Sequence, residues 1–184
     1  MFNAAKVAQM SMYFIDKEGG RMAHLKLIKL LYLSDRESLN LYGYPISEDK
    51  MFSMPHGPVL SQTLDLINGK IDDSTWQKSI SDKKDNEISL IPQKIDRETF
   101  DELSDADLEI LESTYKRFGN MSGFELRDFT HEFCKEWKDP LGGAIKISYK
   151  DVFLALGKTE EQATSLSNSL LEINELDGVM AALK

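Results

Sequence analysis

Apolar residues recur at intervals of three and four over most of this chain, the period of helices with one buried side. Asn3 is placed to cap a first helix running to about Lys17, in which Ala4, Val7, Ala8, Ser11 and Phe14 or Ile15 share a face; Gly19-Gly20 ends it. A second helix is predicted at once, from about Met22 to Leu39. Leu27, Leu30, Leu31 and Ser34 lie on one side of it, Ile28 and Tyr32 widen the stripe, and Lys26, Lys29 and Arg36 fall outside.

Gly43-Tyr44-Pro45 make a turn, after which Lys50 to Met54 can be extended, because Pro55 disfavours helix at the residue before it. His56-Gly57-Pro58-Val59 reads as the start of a helix, since proline in the first turn loses no hydrogen bond, and Leu60, Leu64 and Ile67 continue it to Asn68-Gly69. Trp76 to Ile80 and Glu87 to Ile91 are β-compatible runs around a polar stretch, a candidate hairpin.

Four later helix starts carry capping boxes: Ser104 with Asp107, Ser122 with Glu125, Ser148 with Asp151 and Thr159 with Gln162. They predict helices over 105–118, 123–138, 149–156 and 160–183. In the last, Ala163, Leu166, Leu170, Ile173 and Leu176 follow helical spacing and read mostly as core. The final apolar positions, Val179, Met180, Ala182 and Leu183, are where a partner could be covered instead. The expectation is one mainly helical α+β domain over residues 1–184, compact, with a small β-hairpin or short strands near its middle.

Composition adds limits. No stretch approaches the roughly 20 apolar residues of a membrane span, and the start shows no cationic and apolar leader, so the chain is expected to stay in the cytoplasm, away from membrane. The lone Cys134 has no disulfide partner within the chain, fits a reducing compartment, and reads as a small buried apolar group.

Charge is uneven. The net is −9, but residues 1–50 hold seven basic and six acidic groups, leaving 15 basic and 25 acidic in residues 51–184. Such a surface repels phosphate backbones and speeds encounter with a basic protein, so nucleic acid is not the expected partner. Between Asp96 and Glu112 there are eight acidic residues and one basic one, Arg97. That stretch is a solvated acidic face or a docking patch.

Candidate chemistry is sparse. His131 and Cys134 sit three apart on a predicted helix, but no CxxC or HxxxH supplies the rest of a zinc set. His56 precedes a helix start, where it would order the turn or face an anion; His24 lies near the exposed start of the second helix. No GxSxG, GxGxxG, GxxxxGK[ST] or HExxH occurs. No catalytic residue, metal ligand or cofactor follows.

The order of segments is more informative. Residues 26–37, KLIKLLYLSDRE, then Phe52 with His56-Gly57-Pro58-Val59, then Tyr115 to Gly119, then Phe124 to His131 and Trp137, together resemble the Panacea domain of SocA-like antitoxins, over about residues 3–157. The resemblance implies an antitoxin of a two-gene module that neutralises a cognate toxin by direct binding without catalysis. It carries Lys26, Lys29, Tyr32, Asp35, Arg36, His56, Gly57, Pro58, Val59, His131 and Trp137 as family-motif or partner-binding positions. The partner is expected to be basic, in a homo- or hetero-oligomer, and residues 158–184, outside the resembling part, are candidates for a role specific to this protein's own partner.

Three other readings stand beside it. One member of the family acts as a proteolytic adaptor for its toxin. A DNA-binding regulator would need a basic face on the first two helices, where only Arg21, Lys26, Lys29 and Arg36 are available. An enzyme would have to be built on His56 and His131.

Overall fold

Asn3 opens the first helix by accepting the Ala5 and Lys6 amides at 2.9 and 3.3 Å, and α1 then runs Ala4–Lys17 in the computed structural model, which describes residues 2–92 and 95–182. Gly19 and Gly20 both take positive φ and turn the chain into a short strand, β1 (Arg21–Ala23). The second helix therefore starts two residues later than its apolar pattern suggests, as α2 (His24–Tyr42), and it extends further, to a left-handed Gly43.

α2 is the axis of the molecule. Over one turn after another it is buried on every side, Lys26 and Lys29 included, because α1, the strand Gly57–Leu60 and the later helices Asp105–Phe118, Gly123–Phe133 and Tyr149–Ala155 all pack on it. Lying outside the apolar stripe therefore does not expose these two lysines. A helix enclosed by neighbours has no solvent face on which to place them.

The segment after the turn departs further from the pattern. Met51–Met54 (β2) and Gly57–Leu60 (β3) form a hairpin with Met54 opposite Gly57 and Met51 opposite Leu60, so Gly57-Pro58-Val59 is strand where helix was expected. Helix α3 (Ser61–Ile67) begins only after it. Pro58 costs the ladder nothing it needs, since β3 is the edge of a sheet ordered β3-β2-β5. Strand β5 (Ile145–Ile147) completes that sheet from far along the chain.

The hairpin expected over residues 76–91 forms only in part. Asp73 caps a short helix, α4 (Ser74–Ser79), that buries Trp76, and β4 (Glu87–Ser89) pairs instead with β1, Met22 opposite Ile88. Of the expected pairing the Ile80 to Leu90 bridge remains, flanked by the Ile91 amide on the Ser79 carbonyl at 3.0 Å and the Ser81 amide on the Ser89 carbonyl at 2.9 Å, with a second bridge, Lys84 to Glu87, at the turn.

The four capping boxes all form. Each serine of Ser104, Ser122 and Ser148 exchanges hydrogen bonds with the residue three ahead, and Thr159 does so with Gln162 at 3.0 and 3.2 Å. They start α5 (Asp105–Phe118), α6 (Gly123–Phe133), α7 (Tyr149–Ala155) and α8 (Glu160–Ala182). α6 stops five residues short of its expected end, where Cys134 leaves helical geometry and the chain turns toward β2. A 3₁₀ turn, Arg97–Phe100, precedes α5. Among the described residues the fold is 58% helical with eight helices and two small antiparallel sheets, an α+β architecture around one apolar core that includes Phe14, Leu30, Leu31, Leu111, Leu126 and Phe153.

The first half of α8 docks as expected, with Ala163 and Leu170 buried, but the second half does not. Ile173, Leu176, Val179 and Met180 are each more than half exposed, so the stripe read as core leaves the core after Leu170. Leu183 lies outside the described residues.

Candidate functional site

Lys26, Lys29, Tyr32 and Asp35 are three residues apart on α2, so each is rotated by about 60° from the last and meets a different neighbour. Lys26 donates to the Gly119 carbonyl and to Glu18, both at 2.6 Å, tying α2 to the ends of α1 and α5. Lys29 donates to the Pro58 carbonyl at 2.7 Å. Its side chain is fully buried, and burial lowers its pKa from the ordinary 10.5 to about 7.

Gly57 makes that lysine's position possible. It has φ +88°, and a Cβ there would meet Thr130 Oγ1 at 2.7 Å, Lys29 Nζ at 2.9 Å and His131 Cδ2 at 3.3 Å. The glycine of the HGPV motif thus serves close approach of strand, helix and lysine. Pro58 and Val59 are buried beside it, whereas His56 is exposed at the tip of the hairpin.

On the next side of α2, Tyr32 donates its hydroxyl to Glu136 Oε1 at 2.7 Å, and Arg36 donates Nε to the same oxygen at 2.7 Å. Glu136 is buried and accepts from both, so the one carboxylate holds two groups a helical turn apart. Burial first, and the Glu136 charge second, push the Tyr32 hydroxyl well above its usual range. Cys134, 1% exposed, is pushed up to about 12 by the same causes, so it stays a thiol.

Asp35 faces the loop after α2. It accepts the Ile46 and Ser47 amides at 3.0 and 2.9 Å and the Ser47 hydroxyl, while complete burial raises its pKa to about 7 against those bonds. Asp49, two residues further, accepts the Gln62 and Thr63 amides and caps the start of α3.

His131 and Trp137 stack, with centroids 4.1 Å apart and planes at 19°, and the indole N–H donates to the Met54 carbonyl at 3.0 Å. His131 Nε2 is buried without a hydrogen-bond partner, and burial followed by the Lys29 and Arg127 charges lowers its pKa. The ring is held neutral as a plate against tryptophan.

The structure therefore brings together Lys29, Gly57, Pro58, His131 and Trp137 at one junction, and Tyr32, Arg36 and Glu136 at the next. Val59 lies within the same strand, Lys26 and Asp35 anchor more distant segments, and His56 stands apart. Chemically the assembly clamps β2, β3, α6 and the turn after α6 onto α2. Lys26 and Lys29 are enclosed and Arg36 is engaged with a carboxylate, so the cationic face required by a DNA-reading pair of helices is not there. Of His56 and His131, the pair on which an enzyme would rest, the first is at the exposed tip of the hairpin and the second is half-buried and stacked on Trp137. Among the described residues no three His, Cys, Asp or Glu side chains gather as metal ligands.

Glu136 and Asp49 are hydrogen-bonding partners that sequence reasoning missed. The signal available for Glu136 was Tyr32 and Arg36 at a four-residue interval, two donors needing one acceptor; nothing local pointed to which acid would supply it.

The acidic stretch is largely engaged at home. Asp101 bonds Gln9, Asp105 pairs with Arg97, and Asp107 closes a capping box and pairs with Lys6. Glu112 accepts from Tyr13 and pairs with Lys17 and Lys116, and these contacts, Tyr13 first, lower its pKa to about 2. As a docking patch it is weaker than its composition suggests.

No helix among the described residues is long and apolar enough to cross a membrane. A family model described as antitoxin SocA-like, Panacea domain, matches residues 27–138, which takes in α2 to α6 and ends just past Trp137. Comparison with curated proteins and with solved structures finds no match.

Proposed function

Because the chain belongs to the SocA-like antitoxin family by its Panacea domain, we propose that it neutralises a cognate, basic toxin by covering it in a stable protein–protein complex. The observation that carries this reading is the state of the motif residues. Lys29, Tyr32, Asp35, Gly57 and Trp137 are spent on holding the body together, and the reactive groups among them are neutral, stacked or bonded to backbone. What is left to act is the surface, and an antitoxin that works by contact needs only that. The net charge of −9 suits a partner with a basic cleft.

Co-expression with the adjacent gene tests it. The two products should co-purify through size exclusion, and this chain should relieve growth arrest while the toxin's abundance stays level. Protection that persists in a variant unable to bind would reject neutralisation by contact. Protection accompanied by loss of the toxin, reversed in a protease-deficient host, would favour the adaptor reading.

A further inference from the structure

The two halves of α8 behave differently. Ala163, Ser167 and Leu170 recur at four and three residues and are all buried, docking the first half on α7. Beyond Leu170 the apolar residues continue, left more than half uncovered by the described residues: Ile173 is 53%, Leu176 64% and Met180 59% exposed, at the i, i+3, i+7 spacing of a helix that anchors in a groove. Leu171 and Val179, 52% and 59% exposed, point elsewhere around the helix, so the segment is apolar on more than one side. A helix with that distribution is stable in water only at a cost and is suited to being surrounded.

Charge selects the occupant. Between Glu160 and Ala182 there are five acidic residues and no lysine or arginine, and Glu172 and Glu175 alternate with the exposed apolar positions. A second copy of this helix would bring like charges together, whereas a groove with an apolar floor and basic rim would satisfy both features. The competing surface, the aromatic side of α6, is partly closed already: Arg127 lies 5.1 Å over Phe124, and Phe133 stacks on Phe129 at 4.6 Å.

We propose that the second half of α8, around Ile173, Leu176 and Met180, is the element of this chain that the toxin receives, in an apolar groove rimmed by lysine or arginine. The proposal rests on the direct-binding reading above and specifies its surface. It also places partner choice outside the matched region of residues 27–138, so that one scaffold can carry a separate docking helix.

The test uses the full chain and the product of the adjacent gene. The double variant Ile173→Asp, Leu176→Asp should melt like the parent, since both side chains are exposed, yet bind about 100-fold or more weakly, the size of two lost anchor side chains, and cease to protect. Phe124→Asp on α6 should bind and protect as the parent does. Glu172→Lys with Glu175→Lys should slow association several-fold at low salt. In an otherwise unchanged chain, p-benzoylphenylalanine in place of Leu176 should crosslink to the toxin, which decides the matter even if the double variant misfolds. Undiminished binding by a folded double variant, or a crosslink joining two copies of this chain, overturns the proposal. A parent chain that forms no complex at all defeats the direct-binding reading itself, a distinguishable result.

Discussion

Lys29 and Gly57 compete for one space: a Cβ on the glycine would stand 2.9 Å from the lysine nitrogen, which already sits 2.7 Å from the Pro58 oxygen. A side chain at position 57 would have to displace the lysine nitrogen, although 28 positions separate the two in the chain.

Gly57→Ala should therefore be costly on two counts, a side chain at φ +88° and a contact of 2.7 Å with Thr130. A loss of about 2–4 kcal/mol is expected in urea unfolding. Gly142, with φ +92° but nothing within 4 Å, is the control; Gly142→Ala should lose only the backbone term, about 1 kcal/mol. Equal losses at the two sites would show that the Lys29 junction is not tight.

Stability should depend on pH in a way set by two buried groups. Lys29 has a folded pKa of about 7 against 10.5, so between those values the unfolded chain holds a proton that the fold refuses, and this group makes stability rise with pH. Asp35 has a folded pKa of about 7 against 3.8, so between those values the fold holds the extra proton and stability falls as pH rises. Each slope is on the order of 1 kcal/mol per pH unit. Lys29→Met should flatten the limb above pH 7 and Asp35→Asn the limb below it, read from urea midpoints across the range. A Lys29→Met profile parallel to the parent's above pH 7 would contradict this assignment.

Removing the shared acceptor should hurt more than removing either donor. Glu136→Ala leaves the Arg36 charge and the Tyr32 hydroxyl without their partner and should cost about 3–5 kcal/mol. Tyr32→Phe, which loses one hydrogen bond, should cost about 1 kcal/mol in the parent and close to nothing in the Glu136→Ala background. Additive losses in that cycle would mean that the pair does not interact.

Cys134 should ignore thiol reagents in the native protein. It is 1% exposed and its thiol pKa is pushed up to about 12, so the reactive thiolate is scarce and enclosed. Ellman's reagent at about pH 8 is expected to label it only after denaturation. Stoichiometric labelling of the folded chain would place it at a surface instead.

The chain's helices were readable because their signals are local. A cap or a capping box is settled within three residues, and Asn3, Ser104, Ser122, Ser148 and Thr159 each met the amides that their spacing promised. The family motif was readable as an ordered set of residues, but not what those residues do.

Tertiary structure decided the rest, because it depends on groups far apart in sequence. Pro58 in a helical first turn and Pro58 in an edge strand satisfy the same local rules; pairing with Met51–Met54 chose the strand. Lys26 and Lys29 look like solvent positions until Gly119 and Pro58 offer carbonyls in the interior. The apolar spacing of α8 runs unbroken past Leu170, and only the end of α7's surface determines where burial stops and an open face begins. Periodicity states which side of a helix is apolar; what covers that side is a property of everything packed around it.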